Sequence, residues 1–427
     1  MAESVFITGA GVVCPIGVGA QEVWSAVEAG RSGVRRIDDL ADAGWIAPFG
    51  GTVTGFEAKR FVKPRKSLKV MADEIQWAFA AGEEAWAGAG LPEEPGAGGI
   101  DPERMGVVCG GGLMYCDMTE LEGPYRACLD EQRAFDFSRW GGAALREFFP
   151  LWMLKYLPNM SACHIGIRRD ARGPTNTMAH GDTSSLLALG EAAEVIRRGQ
   201  ADVMITGGSS RRLHMTDPLW HSGAGFWQSG EDPATACRPF DASRNAGVCG
   251  EGAAMRVLES GAHARRRGAA PLAEVLGVAS GSSAGSGVAG GRITEGVIAG
   301  VLAQAMGRAG VSRGEIGSVN AHGLGTPAED AIEARAIAQA VGDTPVTAPK
   351  SYLGNLGAAG GAGELGISQL GQQHGVTPAT INHHQTGPDC PINVATDTAP
   401  TDKPCVAAVN YNTTGQAAAA ILSKCEG

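Results

Sequence analysis

The alternation of strand-like and helix-like segments, run through twice, constrains the fold of this chain more than any other feature. In the first pass, Val5 to Val13 reads as a buried strand, Gln21 to Ala29 as an amphipathic helix and Val70 to Ala89 as a longer helix. Met105-Gly106-Val107-Val108-Cys109 is then a strand ending on Gly110-Gly111-Gly112. Ala201 to Gly208 is another strand closing on glycines, and Gly250 to Leu258 a further apolar strand. The pattern restarts with a strand from Leu272 to Ala279, a helix from Gly296 to Ala309, and a strand from Ile316 that delivers His322. Glu364 to His374 reads as a helix, and Val406 to Asn410 with Ala417 to Leu422 as the closing strands. Such a repeat predicts an α/β protein of two packed units with layered sheets.

Length and composition agree with this and exclude several function classes. A chain of 427 residues, 44% hydrophobic and 19% charged, can bury a large core and is not a disordered composition. Its 64 glycines imply tight turns and close backbone approaches around a site. A net charge of -10 argues against nucleic acid as a partner. No apolar run approaches the roughly 20 residues that span a bilayer, so no membrane role is expected. The chain opens directly into the strand-like Ser4-Val5-Phe6-Ile7-Thr8-Gly9, from which no secretory leader and a cytoplasmic location are expected. The 10 cysteines are scattered, without CxxC pairs or ligand-like spacing to histidine, and read as reduced, buried thiols. No cofactor and no metal is implied.

One segment carries the layout of a nucleophile elbow. Gly173-Pro174-Thr175-Asn176-Thr177-Met178-Ala179-His180-Gly181-Asp182-Thr183-Ser184-Ser185 leads by a turn into a helix continuing through Leu186 to Ile196. At its point stands Asp182, where an acyl-transfer enzyme carries a cysteine or serine.

Four further segments, in order, carry a family resemblance. Ile7-Thr8-Gly9-Ala10-Gly11-Val12-Val13 with Pro15-Ile16-Gly17 is similar to the first strand and turn of the β-ketoacyl-acyl carrier protein synthases of the thiolase superfamily. Cys237-Arg238-Pro239-Phe240-Asp241 with Gly250-Glu251-Gly252 resembles their central signature. Asn320-Ala321-His322-Gly323-Leu324-Gly325-Thr326-Pro327 resembles the loop of their first catalytic histidine. Ala348-Pro349-Lys350-Ser351 with Gly354-Asn355 and Glu364 resembles their lysine-to-glutamate segment. The resemblance implies a thiolase-like fold of two pseudo-repeated α/β halves in an α-β-α-β-α arrangement, with halves at 1–262 and 270–427. The Arg265-Arg266-Arg267-Gly268 stretch between them reads as a solvated linker.

The same resemblance sets expectations for the site. In the family a cysteine with a lowered pKa takes an acyl chain from a carrier thioester, and two histidines help to decarboxylate a malonyl group and stabilise the enolate. Elbow and glycine-rich-loop amides make the oxyanion hole. Here Asp182 stands at the cysteine position, His322 at the first histidine and Asn355 at the second. Thr413-Thr414-Gly415-Gln416 replaces the glycine-rich loop. Lys350 and Glu364 are expected to form a buried supporting pair. A carboxylate is a weak nucleophile, an acyl-aspartate is a labile anhydride, and an ionised Asp182 repels a malonyl carboxylate. Condensation by this chain alone is therefore not expected.

The expected reading is a non-condensing subunit similar to the chain-length factors of type II polyketide and fatty-acid systems. Its partners would be an acyl carrier protein and a second subunit, either a copy of itself or an active ketosynthase paralogue. Lys63, Arg65, Lys66 and Lys69 form the basic island proposed for the acidic carrier, with Arg211 and Arg212 as additions. Phe148 to Leu157 could line an interface or tunnel, or be a plain core helix. Cys163 and Cys109 read as packed thiols and His383-His384 as surface. Two rivals stand: Asp182 and His322 acting together as a base in an acyltransferase, decarboxylase or thioesterase without an acyl-enzyme, and a condensing enzyme whose nucleophile lies elsewhere.

Overall fold

The structure, a computed structural model, describes residues 3–42, 44–45, 48–94, 100–214, 232–283 and 292–425. Eleven strands form its main sheet path: β1 (Val5–Cys14), β2 (Met105–Gly111), β3 (Thr175–Met178), β4 (Val203–Arg211), β5 (Glu251–Ser260), β6 (Ala273–Ser282), β7 (Ile316–Asn320), β8 (Pro345–Thr347), β9 (Asn393–Val394), β10 (Cys405–Tyr411) and β11 (Gln416–Ser423). Their spatial order is β9-β8-β7-β10-β11-β6-β1-β5-β4-β2-β3.

That order contains a repeat. Outward from β1 the chain pairs β1-β5-β4-β2-β3, the first two pairings antiparallel and the next two parallel. Outward from β6 it pairs β6-β11-β10-β7-β8 with the same succession. The two sets meet at β1 and β6, where only Phe6↔Glu274 and Ile7↔Ala273 are in register. A mixed α/β architecture with one topology used twice is what the alternating sequence predicted.

Helices cover and separate these sets. On the outer side of the first lie α1 (Asp73–Gly88) and α2 (Met160–Arg169); α4 (Glu295–Ala309) and α5 (Pro327–Val341) lie on the second. Between them run α3 (Ser184–Arg197) and α6 (Gly360–Gln373), which touch strands of both sets and each other. Helices so enclosed must be apolar or small nearly all round, as α3 and α6 are. The close approach has a backbone cause. A Cβ on Gly361 would lie 2.7 Å from Leu186 Cγ, and the Ala362 amide donates to Ser185 Oγ at 2.9 Å.

This packing explains where the elements depart from the sequence reading. α6 starts at Gly360, not at Glu364, because burial against α3 overrides the poor helix propensity of Gly360-Gly361-Ala362-Gly363. The helix predicted from Val70 starts at Asp73, after a 3-10 turn over Arg65–Val70. Arg265 to Arg267 is not a linker: it is the last turn of a helix, Gly261–Arg267, where cations suit the carbonyl end and Arg267 Nε donates to the buried Glu259 at 2.7 Å. Phe148 to Leu157 is not a core helix, since only Trp152–Tyr156 forms a 3-10 turn and Phe149, Leu151 and Met153 are exposed. His383 is buried rather than on the surface, its ring nitrogens against Pro239 O at 3.2 Å and Thr386 Oγ1 at 3.0 Å.

β1 shows how tightly the layers are set. A Cβ on Gly9 would lie 2.0 Å from Ala85 O, and one on Gly11 2.1 Å from Ala81 O, both on α1. Gly11→Ala is therefore expected to destabilise the chain by about 2 kcal/mol or more in denaturant unfolding. Gly296→Ala, on an exposed helix position with nothing within 4 Å, should be neutral or slightly stabilising.

Candidate active site

The turn Gly181–Thr183 ends β3 and feeds α3, so the point of the elbow is buried between the sheets. Asp182 sits there, 7% exposed. Its Oδ2 accepts from Asn355 Nδ2 at 3.0 Å and lies 3.4 Å from His322 Nε2. Its Oδ1 lies 3.2 Å from the Arg212 guanidinium. Three segments far apart in sequence thus converge on one carboxylate. Burial by itself would raise the Asp182 pKa. Arg212, His322 and Asn355 outweigh it and hold the carboxyl well below the ordinary range.

His322 follows the carboxyl end of β7 and is fully buried. Its loop is held from α5: Glu333 accepts from the amides of His322 at 2.6 Å and Gly323 at 2.8 Å, and Asp330 from Gly325 at 3.0 Å. Burial pushes Asp330 up to about 7 and Glu333 up to about 8 despite these bonds. The ring packs edge-on to Tyr411, with centroids 4.4 Å apart.

The tautomer of His322 follows from its neighbours. Nδ1 faces Lys350 Nζ at 2.9 Å and Asn410 Nδ2 at 2.7 Å. Lys350 can only donate, and Nδ2 of Asn410 also donates to Glu364 Oε2 at 3.1 Å, which orients that amide. Nδ1 is therefore an acceptor, and the ring proton sits on Nε2, facing Asp182. Burial, and then the Lys350 charge, lower the imidazole pKa, so the ring is neutral near pH 7. Lys350 Nζ and Glu364 Oε1 pair at 2.5 Å, both side chains 1% exposed.

Asn355 is oriented in the same way. Its backbone pairs with Val248 O at 2.7 Å and with the Gly250 amide at 2.9 Å. Its Oδ1 accepts from Gly357 N at 3.0 Å, leaving Nδ2 to face Asp182. The Thr413-Thr414-Gly415-Gln416 turn joins β10 to β11, with Thr413 and Thr414 exposed. It reaches the elbow through the preceding residue: Asn412 Oδ1 accepts from the Asp182 amide at 2.8 Å.

A cavity of 350 Å3 opens on the elbow, lined in part by Leu113, Tyr115, Asp182, Ser210 and Arg212. Cys109 is fully buried, and burial pushes its thiol up to about 12. Cys163 is half-buried on α2 with Asn159 Nδ2 3.6 Å from its sulfur. Neither thiol joins the group around Asp182. Among the described residues no set of three or more His, Cys, Asp or Glu is placed to hold a metal ion, and no helix is long and apolar enough to cross a membrane.

Of the basic residues, Lys63, Arg65, Lys66 and Lys69 are all exposed around the 3-10 turn before α1. Arg211 and Arg212 do not join them. Arg211 lies among Asp73, Asp117 and Glu251, and Arg212 belongs to the site. Sequence reasoning missed Arg212, Asn410 and Asn412 as site residues. Nothing in the sequence marked them beyond the position of Asn410 and Asn412 next to the Thr413 turn.

The carboxylate at 182 adds a titration. Its folded pKa is depressed, so the stabilisation is present above the unfolded value and is lost as pH falls. Asp182→Asn is expected to cost about 3 kcal/mol at pH 7, by leaving Arg212 buried opposite a neutral group. The gap to the unchanged chain should narrow below about pH 4 in thermal melts across pH.

Comparison with known proteins agrees with this geometry. Residues 2–264 match the family model "Beta-ketoacyl synthase, N-terminal domain" and residues 272–384 match "Beta-ketoacyl synthase, C-terminal domain". The chain is 32% identical over 398 residues to the 3-oxoacyl-[acyl-carrier-protein] synthase 2 of Vibrio cholerae, covering 88% of each. It is 31% identical over 409 residues to the tetracenomycin polyketide synthase ketoacyl synthase alpha subunit of Streptomyces glaucescens, covering 93% of this chain and 91% of that one. Among solved structures, the ishigamide ketosynthase/chain length factor superposes with a TM-score of 0.84 at 28% identity, over 100% of both chains. With its fold, its His322 loop and its Lys350–Glu364 pair arranged around a nucleophile elbow, the chain belongs to the β-ketoacyl synthase family.

Proposed function

We propose that this chain is a non-condensing ketosynthase-like subunit of a type II polyketide or fatty-acid system, a chain-length-factor-like partner of an active ketosynthase. The observation that carries this reading is the state of position 182. Where condensation needs a thiolate, the chain places a carboxylate that is ion-paired to Arg212 and faced by His322 and Asn355. The two donors that would steady an enolate oxygen already face this side chain.

The same geometry weighs against the rival in which Asp182 and His322 activate water or an alcohol. His322 Nε2 already carries its proton, and Asp182 is held too acidic to take one near pH 7. The ishigamide ketosynthase/chain length factor, matched over its full length, supports the partner-subunit reading by analogy. The exposed large apolar side chains Leu113, Met118, Tyr125, Phe135, Phe137, Leu145, Phe149, Leu151 and Met153 fall within one stretch of chain and suit a surface that is covered in an assembly.

Malonyl-loaded carrier protein incubated with the purified chain should lose no carbon dioxide and release no acyl group by mass spectrometry. The Asp182→Ala, His322→Ala double variant should behave identically. Turnover that disappears in the double variant would make the chain an enzyme in its own right and end the partner-subunit reading.

The carrier surface in this reading is the exposed group Lys63, Arg65, Lys66 and Lys69. Lys69 also edges a cavity of 450 Å3 shared with Glu120, Phe148, Phe149, Trp152 and Lys155. Charge reversal at Arg65 and Lys66 should weaken carrier binding about tenfold at low salt, with a smaller effect at high salt. Unchanged affinity in a titration would remove this docking assignment.

A further inference from the structure

The elbow is closed to an acyl group in a second way that has nothing to do with the missing thiol. An acyl-transfer elbow stabilises its tetrahedral oxyanion with backbone N–H groups at the nucleophile turn. In this chain the N–H of residue 182 is already taken, because it donates to Asn412 Oδ1 at 2.8 Å. The carboxamide is held there from its other end, with Asn412 Nδ2 donating to His180 O at 2.7 Å and facing Gln416 Oε1 at 3.2 Å. The turn is shaped around it: Gly181 has φ 56, and a Cβ there would lie 2.8 Å from Asn412 Oδ1. His180, Gly181 and Asp182 on one side and Asn412 and Gln416 on the other thus form a seat for one amide group.

We propose that Asn412 is a specificity-determining residue that fills the oxyanion position of the elbow, independently of Asp182. A thiol placed at 182 would then meet an incoming thioester with the elbow's own amide already engaged, and so without that donor for the developing oxyanion. The proposal rests on reading 182 as the nucleophile position, which the carrier assay on the unchanged chain tests separately.

The test restores a thiol and asks whether it is sufficient. Asp182→Cys, Asp182→Cys/Asn412→Ala and Asp182→Cys/Asn412→Asp are incubated with a short-chain acyl thioester of N-acetylcysteamine and followed by intact-protein mass spectrometry. In the reaction the introduced thiolate attacks the thioester carbonyl. A carbon–sulfur bond forms to the protein, the bond to N-acetylcysteamine breaks, and that thiol leaves with the proton. The Asn412→Ala double variant should acylate about tenfold or more faster than Asp182→Cys alone. The Asn412→Asp double variant should stay as slow as the single one. Its carboxylate still accepts from the elbow amide, although it can no longer donate to His180 or Gln416. All three should alkylate with iodoacetamide at position 182 at similar rates, read by peptide mapping because the chain carries ten other free cysteines; this shows a reachable thiol at the elbow.

Equal acylation of the single variant and the Asn412→Ala double would overturn the proposal. So would fast acylation of the Asn412→Asp double, or no acylation in any variant whose thiol alkylates. A second measurement leaves position 182 untouched. Asn412→Ala in the otherwise unchanged chain should speed hydrogen exchange in the elbow peptide, and an unchanged rate there would count equally against it.

Discussion

The contact between the two central helices, α3 and α6, is the constraint on which the rest of this structure depends. They approach closely enough to touch only because Gly361 has no side chain toward Leu186 and Asn410, and because Ser185 accepts from the Ala362 amide. Two helices pressed between the strand sets leave little room for bulky side chains where they meet, which accounts for the Gly360-Gly361-Ala362-Gly363 start of α6. The same contact sets the start of α3, and therefore Asp182, beside Asn355, which precedes α6, and beside His322 at the end of β7.

Electrostatics then decides what the converged groups can do. At so buried a position an unpaired carboxylate would be pushed toward its protonated form, whereas one facing a guanidinium, an imidazole N–H and an amide stays ionised. Lys350, Glu364 and Asn410 act one step further back by fixing which nitrogen of His322 carries hydrogen. The arrangement is an anion site whose anion is part of the chain, with Asn355 bonded to it, Arg212 ion-paired to it and His322 Nε2 facing it at 3.4 Å. That is a different state from a site with no side chain at the elbow, because Asn355 and Arg212 are engaged with the carboxylate.

Membership of the β-ketoacyl synthase family, and the carboxylate at the elbow on which the proposed function rests, are visible in the same few residues. The loop around His322, the Lys350–Glu364 pair and the doubled sheet topology follow the family. Asp182, Asn355 and the Thr413-to-Gln416 turn stand where the sequence resemblance places the family's cysteine, second histidine and glycine-rich loop; Asp182 and Asn355 bond directly, and the turn reaches the elbow through Asn412. Arg212 pairs with the Asp182 carboxylate and Asn412 with its amide, so both the side chain and the backbone of residue 182 are engaged.

The alternation of apolar strands and helices, run twice, determined the α/β class and the repeated order of elements, because periodicity is a local property of the chain. The motifs around Asp182, His322 and Lys350 likewise pointed to a synthase-like elbow before any coordinates. Helix starts such as Gly360, the fate of Arg265 to Arg267 and the exposure of Phe148 to Leu157 were not legible, since long-range burial overrides local propensity there. Arg211 and Arg212 look alike in sequence, and only the fold turned one toward Glu251 and the other toward Asp182. Asn412 was equally silent, being 230 residues from the amide it caps. Residue types and their spacing are written in the chain; which buried charge meets which donor is set by packing, because those partners are brought together only when the two halves close on the central helices.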